Sequence, residues 1–181
     1  MTSFDVASLQ ASLIDSGRSK SALIVDGAGN PAKWRVGPLQ VAFPPKGFSE
    51  DQARISFCLR STPEICKLLK ELDEWAVAWA HANSLVAFGK QLSLDQVTDK
   101  LSPALKANDK YDALVRTKIN PKYTRWWDAN GKRREAPEDW RGVACTAEVL
   151  VKSLWFMGGQ FGVTLEVQDA QLTEASTGCP F

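Results

Sequence analysis

The feature that most constrains this chain lies near its C-terminal end, where two long alternating stretches are joined by Gly-Gly. In "VACTAEVLVKSLWF", Cys145, Ala147, Val149 and Val151 fall on one side and Thr146, Glu148, Leu150 and Lys152 on the other. "FGVTLEVQDAQL" sets Phe161, Val163, Leu165 and Val167 against Thr164, Glu166 and Gln168. A period of two marks strands with one face on a core, and "MGGQ" turns the chain between them. Two long antiparallel strands therefore close the domain.

The same period appears earlier. "SALIV" reads as a strand from Ser21 to Val25, ended by Gly27, Gly29, Asn30 and Pro31. "PLQVAF" alternates Leu39, Val41 and Phe43. "ARISFCLR" places Ile55, Phe57 and Leu59 on one face and Arg54, Ser56, Cys58 and Arg60 on the other. At "STPEICKLLKELDEWAVAWAHANSLVAF" the period becomes helical: Ile65, Leu68, Leu69, Leu72, Trp75, Ala76 and Trp79 form one apolar stripe. Ser61 with Glu64, or Thr62 with Pro63, can start that helix, and Glu71 and Asp73 are assigned to its solvent side. A short helix near Leu94 to Leu101, an extended segment from Tyr111 to Ile119 and a strand through "YTRWWD" follow, with a tight Asn-Gly hairpin turn in "DANGK". Strands around one substantial helix point to a mainly β (α+β) fold. A small antiparallel barrel with one long inserted amphipathic helix suits this order better than a parallel βαβ sheet. Residues 1–19 read as a flexible arm, 20–172 as the domain with the inserted helix at about 62–87, and 173–181 as a tail.

Composition narrows the function classes. The 181 residues fit one domain with a real core. No apolar run approaches the roughly 20 residues of a membrane helix, and the N-terminus has no secretory pattern; the expectation is an intracellular protein, in the cytoplasm or nucleus, without a membrane role. Cys58, Cys66, Cys145 and Cys179 are widely spaced and read as free thiols. His81 is the single histidine and lies off the helix stripe, so no metal site is expected. Neither a dinucleotide fingerprint, a P-loop nor a nucleophile elbow occurs. The pairs Asp73-Glu74 and Glu138-Asp139 sit where solvated surfaces carry acids. The reading is a non-enzyme without a cofactor.

The net charge of +1 conceals a basic segment: Arg116, Lys118, Lys122, Arg125, Lys132, Arg133 and Arg134 stand against one acid, Asp128. Within it, "TRWWDANGKRRE" sets indoles beside cations. Single-stranded nucleic acid needs both, cations along its phosphates and flat faces for its unstacked bases. Tyr123, Arg125, Trp126, Trp127, Lys132, Arg133 and Arg134 supply them, with Lys118 and Lys122 upstream. Strand alternation sends one of Trp126 and Trp127 inward and the other outward. Trp127 is the better outward candidate because it shares a side with Arg125. "AKWRVG", with Trp34 and Arg35, and Trp140 beside Arg141 are two smaller clusters of the same kind. The competing structural reading makes these indoles packing residues and the cations solubilising ones.

The order "VRTKIN", "YTRWWDANGK", "VLVKSLWFMGGQFGVTLEVQDAQL" resembles the OB-fold single-stranded DNA-binding proteins of T-seven-like phages and large DNA viruses. Leu154, Trp155 and Phe156, then Phe161 to Leu165, with Lys118-Ile119 ahead of them, carry the likeness over roughly residues 105 to 172. The resemblance implies an OB-type barrel that coats single-stranded DNA in replication or recombination, with Trp155 and Phe156 closing the barrel. It also implies that a terminal Pro180-Phe181 docks replication proteins, although this tail has few acids. A homodimer is compatible with this reading. The alternatives are a protein-binding adaptor using the basic-aromatic hairpin, and an RNA-binding OB module.

Overall fold

The computed structural model describes residues 4–45, 54–108 and 110–174. The strands are β1 (Gln10–Asp15), β2 (Lys20–Val25), β3 (Lys33–Gln40), β4 (Ile55–Arg60), β5 (Leu105–Asn108), β6 (Tyr111–Ile119), β7 (Arg125–Trp127), β8 (Arg133–Arg134), β9 (Ala144–Met157) and β10 (Gln160–Thr173). The helices are α1 (Pro63–Ala82), α2 (Ser84–Phe88) and α3 (Leu94–Thr98).

All the strands belong to one curled sheet, built on the β9–β10 hairpin. Gly158 and Gly159 both have positive φ, as a two-residue type I′ turn requires, so the long strands pair from Gln160↔Met157 to Thr173↔Ala144. The far side of β9 pairs with β3 through Lys33–Gln40 and with β2 near its C-terminal end. The far side of β10 takes β6 and then β7, and β6 pairs in turn with β4 and β5. Beyond β3 the chain meets β4: Val41 bridges Leu59, and the Ala42 N–H donates to the Cys58 carbonyl at 2.9 Å. The sheet thus curls around a core holding Phe57, Leu59, Ile119, Leu154, Phe161 and Leu165, all fully buried.

Helix α1 adds the other side of that core with Ile65, Leu69, Leu72, Ala76 and Ala80. Thr62 caps it, its Oγ1 accepting from the Ile65 N–H at 3.4 Å, with Pro63 in the first turn. Trp79 lies against Phe156, and Phe88 against Phe156 and Phe161. No helix among the described residues is long and apolar enough to cross a membrane.

Several expectations need correction. The sheet is mixed, because β6 and β7 both run parallel to β10; alternation reports faces, not strand direction. It is also larger than a small barrel, since the β1–β2 and β7–β8 pairs extend it. The loose arm is replaced over its described part by a 3₁₀ turn (Val6–Ser8) and β1, with Val6 and Leu9 buried. The inserted helix breaks at Asn83, whose side-chain amide donates to the Trp79 carbonyl at 2.8 Å, and α2 starts anew. The Asn130-Gly131 turn is wider than a two-residue hairpin: Trp127 pairs with Arg133, and Asp128 N–H donates to Lys132 O at 2.9 Å. Asp73 is buried rather than solvated. Its carboxylate accepts from the Ala104 N–H at 3.3 Å, and burial raises its pKa to about 6 despite that bond.

Candidate nucleic-acid interface

The outward face of the sheet follows from alternation and register together. On β4, Ile55, Phe57 and Leu59 point into the core, leaving Ser56 exposed, with Arg54 exposed just before the strand; on β6, Val115, Thr117 and Ile119 do so, leaving Arg116 and Lys118. Pairing aligns these outward residues in rows across the strands. One row reads Lys33, Leu150, Glu166, Lys118, Ser56. The next reads Arg35, Glu148, Asp169, Arg125, and the next Thr146, Gln171, Trp127, Arg133. A track therefore runs along β10 for about 30 Å between Gly162 and Gln171, at roughly 3.3 Å per residue.

At one end the track deepens into a groove of about 580 Å³ between β4, β5, β6 and the β9–β10 hairpin. Arg54, Lys106, Arg116 and Lys118 supply positive charge there, with Trp155 and Phe43 as aromatic walls. Gly162 pairs with Trp155 and lets the indole lie against the strand: a Cβ there would sit 3.0 Å from the Trp155 ring and 2.7 Å from the Ser102 carbonyl. Glu166 is the acid of this region, held by Lys152 at 2.8 Å and Arg54 at 3.7 Å. Lys118 donates to Ser56 Oγ at 2.9 Å. Among the described residues Lys106, Arg116 and Lys118 meet no carboxylate, so the groove keeps a positive surplus.

The middle of the track is set by the turn after β6. Thr124 Oγ1 accepts from the Asn120 N–H and donates to the Val167 carbonyl, both at 2.9 Å, which leaves Tyr123 74% exposed beside Arg125. Lys122 is exposed on the same turn. Arg125 forms a 2.6 Å ion pair with Asp169, whose other oxygen accepts from Trp127 Nε1 at 2.8 Å. Burial alone would raise the Asp169 pKa, but these two bonds, with the charges of Arg125 and Lys33, hold it below the usual range. The guanidinium carbons of Arg133 and Arg125 lie 5.5 and 6.0 Å from the Trp127 ring centroid. Arg35 and Trp127 line the same shallow cavity. Lys132 and Arg133 are exposed around a turn that Asp128 fixes by accepting from the Asn130 and Lys132 N–H groups at 2.9 Å.

The sequence candidates separate accordingly. Lys118, Lys122, Tyr123, Arg125, Trp127, Lys132, Arg133 and Arg35 stand on or beside the track. Trp34, Trp126 and Trp140 are 8%, 5% and 7% exposed and offer no face to a base. Trp126, Trp140 and Phe57 pack edge-on with centroids 5.3 to 5.9 Å apart, while Trp34 lies 6.1 Å from Phe4. Arg134 is half-buried and paired with Glu174 at 2.6 Å. Pro180 and Phe181 lie outside the described residues. Residues missed as site candidates are Arg54, Lys106, Arg116, Phe43 and Trp155. Arg54 and Arg116 carried a signal, being charged at outward positions of alternating strands. Among the described residues no group of three or more His, Cys, Asp or Glu is placed to hold a metal ion. Burial pushes the Cys145 thiol up to about 12, which makes it unreactive.

No protein-family model and no curated protein matches the sequence. Solved structures do share the fold. The single-stranded DNA-binding protein of bacteriophage Enc34, in complex with ssDNA, superposes with a TM-score of 0.52 at 9% identity over 87% of this chain and 93% of that one. The single-stranded DNA-binding protein gp2.5 of bacteriophage T7 gives 0.53 at 13% identity over 83% and 91%. At these identities the likeness is one of fold.

Proposed function

We propose that this chain is a non-catalytic protein with an OB-type barrel that coats single-stranded DNA, with little sequence preference, during replication or recombination. The observation that carries the reading is the track along β10. It combines cations that meet no carboxylate among the described residues (Lys106, Arg116, Lys118) with accessible aromatic faces (Trp155, Tyr123, Trp127), on a fold shared with two phage single-stranded DNA-binding proteins. Cations neutralise successive phosphates, and each base stacked on an aromatic face contributes roughly 1–3 kcal/mol without reading its identity. Arg116 and Lys118 hold the phosphate backbone in the groove. Trp155 and Tyr123 stack bases, and Arg125, Trp127 and Arg133 guide the strand toward the β7–β8 hairpin.

Titration with oligo-dT, followed by quenching of tryptophan fluorescence, tests this. Affinity falls steeply with salt, with a slope of about −0.7 for each phosphate neutralised in a single strand. The Arg116→Ala, Lys118→Ala double variant makes the slope shallower by about 1.4, two such contacts being lost. Salt-independent binding, a preference for duplex, or an unchanged slope in the double variant would each refute the reading. Equal binding of oligo-U would widen the substrate to RNA.

A further inference from the structure

The β9–β10 turn separates the groove from a second concavity, of about 700 Å³, built by elements added around the barrel. Arg18 comes from the β1–β2 turn and Lys20 from the start of β2, Lys90 from the segment after α2, and Lys100 from the segment after α3. Its acid is Asp15, whose carboxylate is engaged by the Gly17 N–H at 2.8 Å. Lys20 donates to the Val86 carbonyl at 2.9 Å, which ties the N-terminal hairpin to α2. The side chains of Arg18, Lys90 and Lys100 meet no carboxylate among the described residues. Among the described lining residues four cations, Arg18, Lys20, Lys90 and Lys100, stand against the one carboxylate of Asp15, which leaves a positive surplus.

Two features connect this pocket to the groove. Met157, 76% exposed, lines both concavities. Gly158 and Gly159 have no side chains to raise a wall between them, and a Cβ on Gly159 would stand 3.9 Å from Lys100 Nζ. A chain leaving Trp155 at the end of the groove crosses this low turn directly onto the Lys100 and Lys90 ammonium groups. We propose that the pocket is a phosphate-binding extension of the interface: it holds the phosphodiesters of the nucleotides that follow those in the groove, so the strand wraps over the β9–β10 turn. This rests on the groove binding single strands. A polyanion fits better than a compact anion because the cations come from three separate segments around an open concavity with no buried polar centre.

The experiment uses the full chain and its Lys90→Ala, Lys100→Ala variant, with oligo-dT of about 6 and about 12 nucleotides, within the range such folds cover. Both lysines sit on segments outside the core, and an unchanged melting temperature establishes that the variant is folded; a Lys90→Gln, Lys100→Gln pair repeats the test if it is not. The short oligomer binds variant and wild type alike. The long one binds the wild type more tightly and with a steeper salt slope, and the variant loses that gain, its slope becoming shallower by about 1.4 for two lost contacts. Equal binding of the long oligomer by both proteins overturns the extension while leaving the groove intact. A wild type that binds neither oligomer overturns both. A variant that loses a poly-glutamate peptide but keeps the long oligomer identifies a site for acidic peptides and overturns the proposal as well.

Discussion

Adjacent tryptophans on one short strand should respond oppositely to truncation. Trp126 is buried with its ring 5.9 Å from Phe57 and 5.3 Å from Trp140, in a trio of edge-on contacts. Trp127, one residue on, is half-buried on the outer face and anchored to Asp169 by its Nε1. Trp126→Ala opens a ring-sized cavity among residues fixed by β4 and the Trp140 loop. The cost is about 3–5 kcal/mol, a fall of about 6–20 °C in melting temperature for a chain of this size. Trp127→Ala removes a hydrogen bond to a carboxylate worth about 1.5–3 kcal/mol and no core volume, so it lowers the melting temperature less than Trp126→Ala does. Its effect is on binding: an exposed base that stacks there, displacing the Arg133 guanidinium, loses roughly 1–3 kcal/mol, or about 5- to 150-fold in affinity. Thermal melting and oligo-dT titration of both variants measure the split. A Trp126→Ala protein that melts like wild type refutes the packing argument. A Trp127→Ala protein with unaltered affinity removes that end of the track.

Two further outcomes follow from buried features beside the groove. Burial holds the Asp73 carboxyl protonated up to about pH 6, against 3.8 ordinarily, so the native state retains a proton that the unfolded chain has lost. Its contribution to stability therefore falls as pH rises from about 4 to 6. Asp73→Asn, still able to accept from Ala104, should be more stable than wild type at pH 7 by about 1–2 kcal/mol after discounting for nearby water, with little difference at pH 4; equal melting differences at the two pH values would contradict this. Gly162→Ala places a methyl against the Trp155 ring and the Ser102 carbonyl. It should cost about 1–3 kcal/mol and weaken oligo-dT quenching, whereas wild-type melting and quenching would show that the indole is not seated there.

Much of the fold was legible because a single face of each long strand is buried. The alternations in "ARISFCLR" and "VACTAEVLVK" name the residues that fill the core, and the change to a helical period locates α1. Strand direction was not legible. Nothing local in β6 or β7 distinguishes a parallel from an antiparallel neighbour, and both lie along β10 only because the intervening turn keeps their heading. β1 was also obscure: it is the outer strand of its hairpin, buries little, and so carries a weak alternation. Trp140 misled for a different reason. It stands among Glu138, Asp139 and Arg141, and the Asp139–Arg141 pair is exposed, yet the indole between them turns inward to Phe57 and Trp126.

The site itself divides along the same physical line. Contacts within a strand were readable: residues two apart share a face, which places Trp127 with Arg125. Contacts between strands were not, and the groove consists of them. Arg54, Arg116 and Trp155 come from the residue before β4, from β6 and from β9, far apart in sequence, and each alone looks like an ordinary solvated or core residue. Register brings them to one concave wall. It also brings the acids: Asp169 lies opposite Arg125 and pairs with it, while Glu148 and Glu166 pair with Lys33 and Lys152, which are not their register partners. The charge available to a ligand is therefore set by which cations the pairing leaves over. Counting the basic run includes Arg134, which Glu174 holds, and leaves out Lys106, which meets no carboxylate among the described residues. Under the proposed function a single strand follows those leftover cations, which stand on β5 and β6 beside β10, and not the hairpin alone.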